Sequence, residues 1–84
     1  MPTVILGREL CRRFGADEAP VQLPADVTTV RGVVRELDRR FPGLGDVLAG
    51  PVTVSIDGQL YEQSLLQTVE PDSEVCFLPP IGGG

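Results

Sequence analysis

The clearest pattern in this chain is a stripe of apolar residues at helical spacing between residues 29 and 41. Such a stripe is one side of an amphipathic helix that packs against another layer. Thr29 belongs to a residue type that caps helix N-termini, and Pro42 disfavours helical geometry in the residue before it. We therefore predict a helix across a sheet, with this stripe turned inward: Val30, Val33, Val34, Leu37 and Phe41.

The segments after this helix have the two-residue period of strands. Residues 52–56 alternate, and Asp57-Gly58 is a strong signal for a two-residue hairpin turn that leads into residues 59–61. Residues 74–78 alternate again, with Val75 and Phe77 on one face and Glu74, Cys76 and Leu78 on the other. We therefore predict a hairpin followed by a terminal strand.

The segments before the helix are shorter. Residues 3–6 are apolar or β-branched, which favours a first strand buried on both faces. Residues 21–23 lie between two prolines, which is typical of an edge strand. Arg8 to Phe14 has apolar residues at helical spacing and predicts a short helical turn between these strands.

Two connections complete the prediction. Residues 43–50 are punctuated by glycines and are predicted as a connection, and Leu65, Leu66 and Val69 are predicted to pack the loop before a turn at residues 70–73. Since the helix and the sheet are each apolar on one side, the expected fold is a two-layer α+β domain with one main helix across a mixed sheet of four to five strands.

Length and composition limit the function. At 84 residues the chain forms one small domain, and no apolar stretch is long enough to span a bilayer. We see no secretion signal and expect a cytoplasmic protein. In that compartment Cys11 and Cys76 would normally stay reduced, and small buried side chains are the ordinary interpretation of both.

Charge is distributed unevenly along the chain. The net charge is −5, and all seven basic residues are arginines that precede residue 41. From Phe41 onward there are six acids and no base, which disfavours nucleic acid and suits a basic protein partner. The arginines on the polar side of the predicted helix are interpreted as a solvated face, with a docking patch as the alternative.

The most informative segment is the last one, where the strand gives way to Pro79-Pro80-Ile81-Gly82-Gly83-Gly84. The prolines lack backbone donors, so the chain must leave the sheet, and three glycines carry no fold information. Six residues reach roughly 20 Å when extended. We therefore divide the chain into a domain at residues 1–78 and an extended tail at 79–84, whose terminal carboxylate an enzyme could surround without steric conflict.

These features together resemble the β-grasp sulfur carriers related to ubiquitin, in particular the small subunit of molybdopterin synthase and the thiamin sulfur carriers. The resemblance covers nearly the whole chain. It rests on Arg8-Glu9-Leu10 with Phe14-Gly15, on Thr29-Val30, and most specifically on Glu74 to Ile81 running into Gly83-Gly84. The family usually ends in two glycines after a variable residue, and Gly82 occupies that variable place.

The resemblance implies a carrier rather than an enzyme. In the family, an ATP-dependent activating enzyme of the ubiquitin-activating type adenylates the terminal carboxylate, which is then converted to a thiocarboxylate that donates sulfur. The reacting group would be the carboxylate of Gly84, with Pro80, Ile81, Gly82 and Gly83 bound by the partner. Leu78 and Cys76 would be docking residues, while Phe77 belongs to the core. No cofactor, metal or membrane is expected to be bound, and ATP would be used by the activating partner.

Several alternatives remain open at this stage. The favoured sulfur acceptor is the large subunit of molybdopterin synthase, but related carriers serve cysteine, thiamin or thio-metabolite synthesis. A second possibility is a protein modifier, which would share the activation step. A third is a β-grasp binding module whose tail is inert. The chain lacks histidine and lysine, so a self-contained active site is improbable. For Cys11 and Cys76 the alternative to simple packing is a sulfur-relay role, which would need a thiol of lowered pKa.

Overall fold

The computed structural model describes residues 1–16, 20–50, 53–62 and 65–78, and within these ranges it contains five strands and three helices. In chain order they are β1 (Thr3–Leu6), α1 (Arg8–Phe14), β2 (Val21–Gln22), α2 (Val30–Arg40), α3 (Leu44–Leu48), β3 (Thr53–Ile56), β4 (Gln59–Glu62) and β5 (Glu74–Leu78). The predicted α+β class with one main helix is confirmed.

The five strands form one mixed sheet in the order β2-β1-β5-β3-β4. β5 is the central strand, parallel to β1 and antiparallel to β3, whereas β2 and β4 lie at the two edges. The edge position predicted for the strand at residues 21–23 is confirmed, and the strand itself spans Val21–Gln22. The hairpin is also confirmed, and its turn residues Asp57 and Gly58 have φ of 51° and 87°, the left-handed values that a tight two-residue turn requires.

The core lies between α2 and one face of the sheet. Thr29 caps the helix as predicted, because its Oγ1 accepts a hydrogen bond of 3.1 Å from the backbone N–H of Gly32. The apolar stripe then packs onto the inward side chains of β1, β3 and β5. Fully or nearly fully buried in this cluster are Val33, Leu37, Val4, Val54, Val75 and Phe77.

The prediction that β1 is buried on both faces was wrong. Val4 and Leu6 are buried, while Thr3 and Ile5 are only half-buried. The reason is the two-layer architecture, since the described helices pack against one face of the sheet. The apolar run in β1 therefore places Ile5 on the face opposite the core.

The glycine-punctuated connection after α2 was also interpreted incorrectly, because it contains the short helix α3. Asp38 explains this helix: its Oδ1 accepts hydrogen bonds of 3.1 Å from the N–H of Gly43 and 2.9 Å from the N–H of Gly45. A Cβ on Gly45 would lie 2.8 Å from the Cβ of Asp38. The glycines therefore allow a carboxylate of α2 to approach and cap the start of α3.

The loop before β5 is packed less fully than predicted. Val69 is buried and Leu65 packs partly against the core, but Leu66 is 81% exposed, so its predicted packing role was wrong. The turn before β5 is confirmed, with the N–H of Ser73 donating to the carbonyl of Glu70 at 3.0 Å.

Candidate functional site: the open face of the sheet

The candidate site begins where β5 ends. β5 is hydrogen-bonded to β1 on one side and to β3 on the other, so its last residue, Leu78, is positioned by the centre of the sheet. The tail follows Leu78 directly in the sequence. The predictions for Pro80, Ile81, Gly82, Gly83 and Gly84 lie outside the described residues and stay predictions.

One face of β5 points away from α2. On this face, paired residues of β1, β5, β3 and β4 form a row across the sheet. Cys76 is paired with Ile5 of β1 and with Ser55 of β3, and Ser55 is paired in turn with Leu60 of β4. Directly paired residues share one face of a sheet. This row, Ile5–Cys76–Ser55–Leu60, forms the middle of what we call the open face.

Leu78 lies on the same open face, one step nearer to the tail. It is paired with Thr53 of β3 and is 37% exposed, and Leu60 is 54% exposed. Two large apolar side chains are thus accessible on one side of the sheet, close to the strand end from which the tail continues. The assignment of Leu78 and Cys76 as docking residues agrees with this placement but stays a prediction.

Sequence reasoning missed Ile5 and Leu60 as members of this surface. The signal for Leu60 was available, because the Asp57-Gly58 turn fixes the hairpin register and places Leu60 opposite Ser55. Ile5 could be assigned only after β1 was known to lie beside β5, since its own neighbours in the sequence are all apolar.

A network of hydrogen bonds fixes the start of β5. The Asp57 carboxylate accepts from the hydroxyl of Ser73 and from the N–H of Glu74, both at 2.9 Å, and the Ser73 hydroxyl accepts from the N–H of Glu70 at 3.0 Å. Ser73 is buried. The hairpin turn between β3 and β4 is thereby tied to the first residue of β5, the strand that precedes the tail in the sequence.

The two cysteines have different settings, since Cys11 lies in the core and Cys76 lies on the open face. Cys11 is buried and its thiol contacts the carbonyl of Leu6 at 3.6 Å. Cys76 is half-buried on the open face, where burial, and to a lesser degree the charge of Glu74, raise the pKa of its thiol. A relay thiol needs a lowered pKa, so the setting of Cys76 argues against that role.

Within the part of the chain that the structure describes, no group of three or more histidine, cysteine or acidic side chains could hold a metal ion. In the same ranges no helix has the length and apolar character to cross a bilayer.

Comparison with known proteins assigns this arrangement to a family. The sequence matches the ThiS family over residues 9–84, a range that includes the central strand β5 and the terminal glycines. The chain belongs to the ThiS family. This is a family of small β-grasp sulfur carriers and ubiquitin-like modifiers, so the resemblance inferred from the sequence is confirmed at that level.

Solved structures show the same fold. A chain in the Amycolatopsis orientalis BexX/CysO complex has a TM-score of 0.79 at 18% identity, covering 100% of both chains. Small archaeal modifier protein 1 from Methanosarcina acetivorans has a TM-score of 0.69 at 21% identity, covering 99% of this chain and 95% of that one. A Pyrococcus furiosus chain provisionally assigned as molybdopterin converting factor subunit 1 has a TM-score of 0.65 at 18% identity, covering 95% of this chain and 97% of that one.

A search of curated proteins finds no match to the sequence. At identities near one fifth, the structural neighbours establish the β-grasp fold of this ThiS-family protein and leave its specific pathway open.

Proposed function

We propose that this ThiS-family protein is a sulfur carrier whose Gly84 carboxylate is adenylated by an ATP-dependent activating enzyme and then converted to a thiocarboxylate. The observation that carries the proposal is the family match, which continues through the glycines to residue 84, combined with the central position of β5, whose last residue the tail follows in the sequence. The protein would be a co-substrate, and the partners would supply the catalytic groups.

The proposed chemistry has two steps. A carboxylate oxygen of Gly84 attacks the α-phosphorus of ATP, which forms an acyl adenylate and releases pyrophosphate. Hydrosulfide released by a sulfur donor then attacks the acyl carbon, AMP leaves with the former carboxylate oxygen, and loss of the proton on sulfur gives the thiocarboxylate. Glycine suits both steps because it places no side chain beside the reacting carbon, so a partner can surround it closely.

The open face is the proposed docking surface for the partners. Its exposed apolar side chains are Leu78, two residues after Cys76 on β5, and Leu60 on β4, and Glu74 adds an exposed carboxylate. An apolar centre with a charged rim is the composition expected of a protein interface. We propose that the activating enzyme and the sulfur acceptor both use this face while they enclose the tail.

Among sulfur acceptors we favour the large subunit of molybdopterin synthase. This choice rests on the resemblance of the terminal segment, including Pro79-Pro80, and is supported by the likeness to the Pyrococcus furiosus chain. The likeness to a chain of the BexX/CysO complex supports a carrier for cysteine or thio-metabolite synthesis as the second candidate, and that to small archaeal modifier protein 1 supports a protein modifier.

Intact mass spectrometry tests the central step. The full chain is incubated with ATP, an activating enzyme and a sulfur donor, and the expected result is the mass increase of one oxygen-to-sulfur exchange in the wild type but not after deletion of Gly84. Gly82→Ala and Gly83→Ala form a matched pair: the first should react normally because position 82 varies in the family, and the second should react poorly. An unchanged wild-type mass with several activating enzymes would overturn the carrier proposal.

The alternative functions are distinguished by the protein that the activated chain binds or to which it becomes covalently attached. Co-purification with a molybdopterin synthase large subunit supports the favoured acceptor, and capture of a cysteine-synthase-like or thiazole-synthase-like enzyme would replace it. A modifier would appear as covalent conjugates on target lysines. Because Arg40 is the last basic residue, trypsin would leave residues 41–84 on such a lysine, so conjugates should be measured as intact proteins.

A further inference from the structure

The structure separates charge between its two layers. All seven basic residues lie on α1 or α2, and the described strands carry none. On α2, Arg31, Arg35 and Arg39 follow one another at intervals of four residues and are all exposed. Side chains at this spacing lie on the same side of a helix, about 6 Å apart along its axis. We call Arg31, Arg35 and Arg39 the arginine stripe.

The two acids of α2 are already used within the molecule. Glu36 accepts from Arg39 at 2.6 Å and from Arg40 at 3.0 Å, and these contacts lower the pKa of its carboxyl group. Asp38 caps α3 through the N–H groups of Gly43 and Gly45. Within α2, therefore, no acid is left to balance Arg31 and Arg35.

Glu36 pairs with Arg39 of the arginine stripe, but neither solubility nor helix stability accounts for Arg31 and Arg35. The chain carries a net charge of −5, so each arginine moves its charge toward zero, the direction that disfavours solubility. Like charges four residues apart also repel each other on a helix. The acids of α2 do not offset the repulsion between Arg31 and Arg35, and a partner of complementary charge would relieve it.

We propose that the arginine stripe is a second docking surface, which binds an acidic segment of a partner protein. The guanidinium groups of arginine bind carboxylates through two parallel hydrogen bonds, and the chain uses no lysine in their place. An acidic helix with glutamates four residues apart matches the spacing of the stripe. A nucleic acid is disfavoured as the binding partner, because the net charge is negative and all charged residues after residue 41 are acids.

The position of the arginine stripe makes it independent of the open face. The apolar side of α2 packs on the inner face of the sheet, so its outer side is turned away from Cys76 and Leu78. A partner on the stripe can stay bound while another encloses the tail. This last point rests on the proposed function, whereas the binding of an acidic segment does not.

Binding is tested with a fluorescent helical peptide that carries four glutamates at four-residue spacing, titrated with the full chain at low salt. The expected result is saturable binding that weakens about three- to ten-fold in Arg31→Gln/Arg35→Gln, as two exposed ion pairs predict. The matched control Arg12→Gln/Arg13→Gln removes the same charge from α1 and should bind like the wild type. Thermal melts establish that both variants are folded.

Four results would overturn the proposal: no binding of the peptide, equal weakening in both double variants, tighter binding of a single-stranded oligonucleotide than of the peptide, or wild-type self-association at low salt that the α2 substitutions abolish. The last result would make a second copy of the chain the occupant. If the tail becomes a thiocarboxylate but the peptide does not bind, the stripe proposal fails alone. If the peptide binds but the tail is not activated, the carrier proposal fails alone.

Discussion

The two faces of β5 have opposite surroundings although their residues alternate along one short strand. Val75 and Phe77 are 0% and 1% exposed beneath α2, whereas Leu78 is 37% exposed on the open face. Phe77 and Leu78 are consecutive residues of similar apolar character. The contrast shows that the register of the central strand, rather than residue type, decides which of these two side chains is buried in the core and which is exposed.

This division has a physical consequence for a protein that must be recognised by others. On the covered face, a change in side-chain volume alters packing and therefore the free energy of unfolding. On the open face, the same change alters mainly what a partner meets, since solvent fills the gap. One strand can thus stabilise the fold and present a docking surface, and substitutions can separate the two properties.

The largest expected effect is on the covered face. Phe77→Ala should lower the free energy of unfolding by about 3–5 kcal/mol, since it removes a fully buried aromatic side chain and leaves a cavity. In a domain of this size such a loss can exceed the total stability. Urea denaturation measures it, with Leu78→Ala as the matched control, for which we expect a change of about 1 kcal/mol or less. Equal losses in both variants would contradict the division of β5 into two faces.

The next largest effect concerns Ser73, the residue that precedes β5. Ser73→Ala should cost about 1–3 kcal/mol, because it removes the buried hydroxyl that links the N–H of Glu70 to the carboxylate of Asp57. Hydrogen exchange should show that amides of β5 open more readily than those of α2. A stability equal to that of the wild type would mean that packing alone positions the strand.

Much of this architecture could be predicted from local patterns. The apolar stripe of α2, the Asp57-Gly58 turn and the alternation in residues 74–78 each specify an element within a few residues of sequence, and all three are present. The resemblance of the terminal segment then led to the ThiS family. Local patterns succeed here because each of these elements has one face against the core and the other toward solvent.

The features that were missed depend on contacts between distant segments. Helix α3 follows from the carboxylate of Asp38, five residues before Gly43 and on a different helix. The half-buried position of Ile5 follows from the pairing of β1 with β5, more than 60 residues away in sequence.

A smaller effect on stability, but a large one on recognition, is expected on the open face. Leu78→Gln should change the free energy of unfolding by about 0.5 kcal/mol or less and should weaken the activating enzyme's affinity about ten-fold, as loss of a central apolar contact predicts. The measurement is the KM for the carrier in ATP–pyrophosphate exchange, with Leu66→Gln as a control on the exposed loop. Equal effects of the two substitutions would remove Leu78 from the docking surface.

The smallest effect concerns the half-buried centre of the open face. Burial and the charge of Glu74 raise the pKa of the Cys76 thiol, so at a given pH near 8 it holds less thiolate than a free cysteine and should react more slowly with iodoacetamide. The rate should increase with pH through a midpoint displaced to the alkaline side. Glu74→Gln should restore only part of the rate, because burial, the larger cause, remains. A rate equal to that of free cysteine would show that the open face is as solvated as an unfolded chain, and would remove its centre from the proposed docking surface.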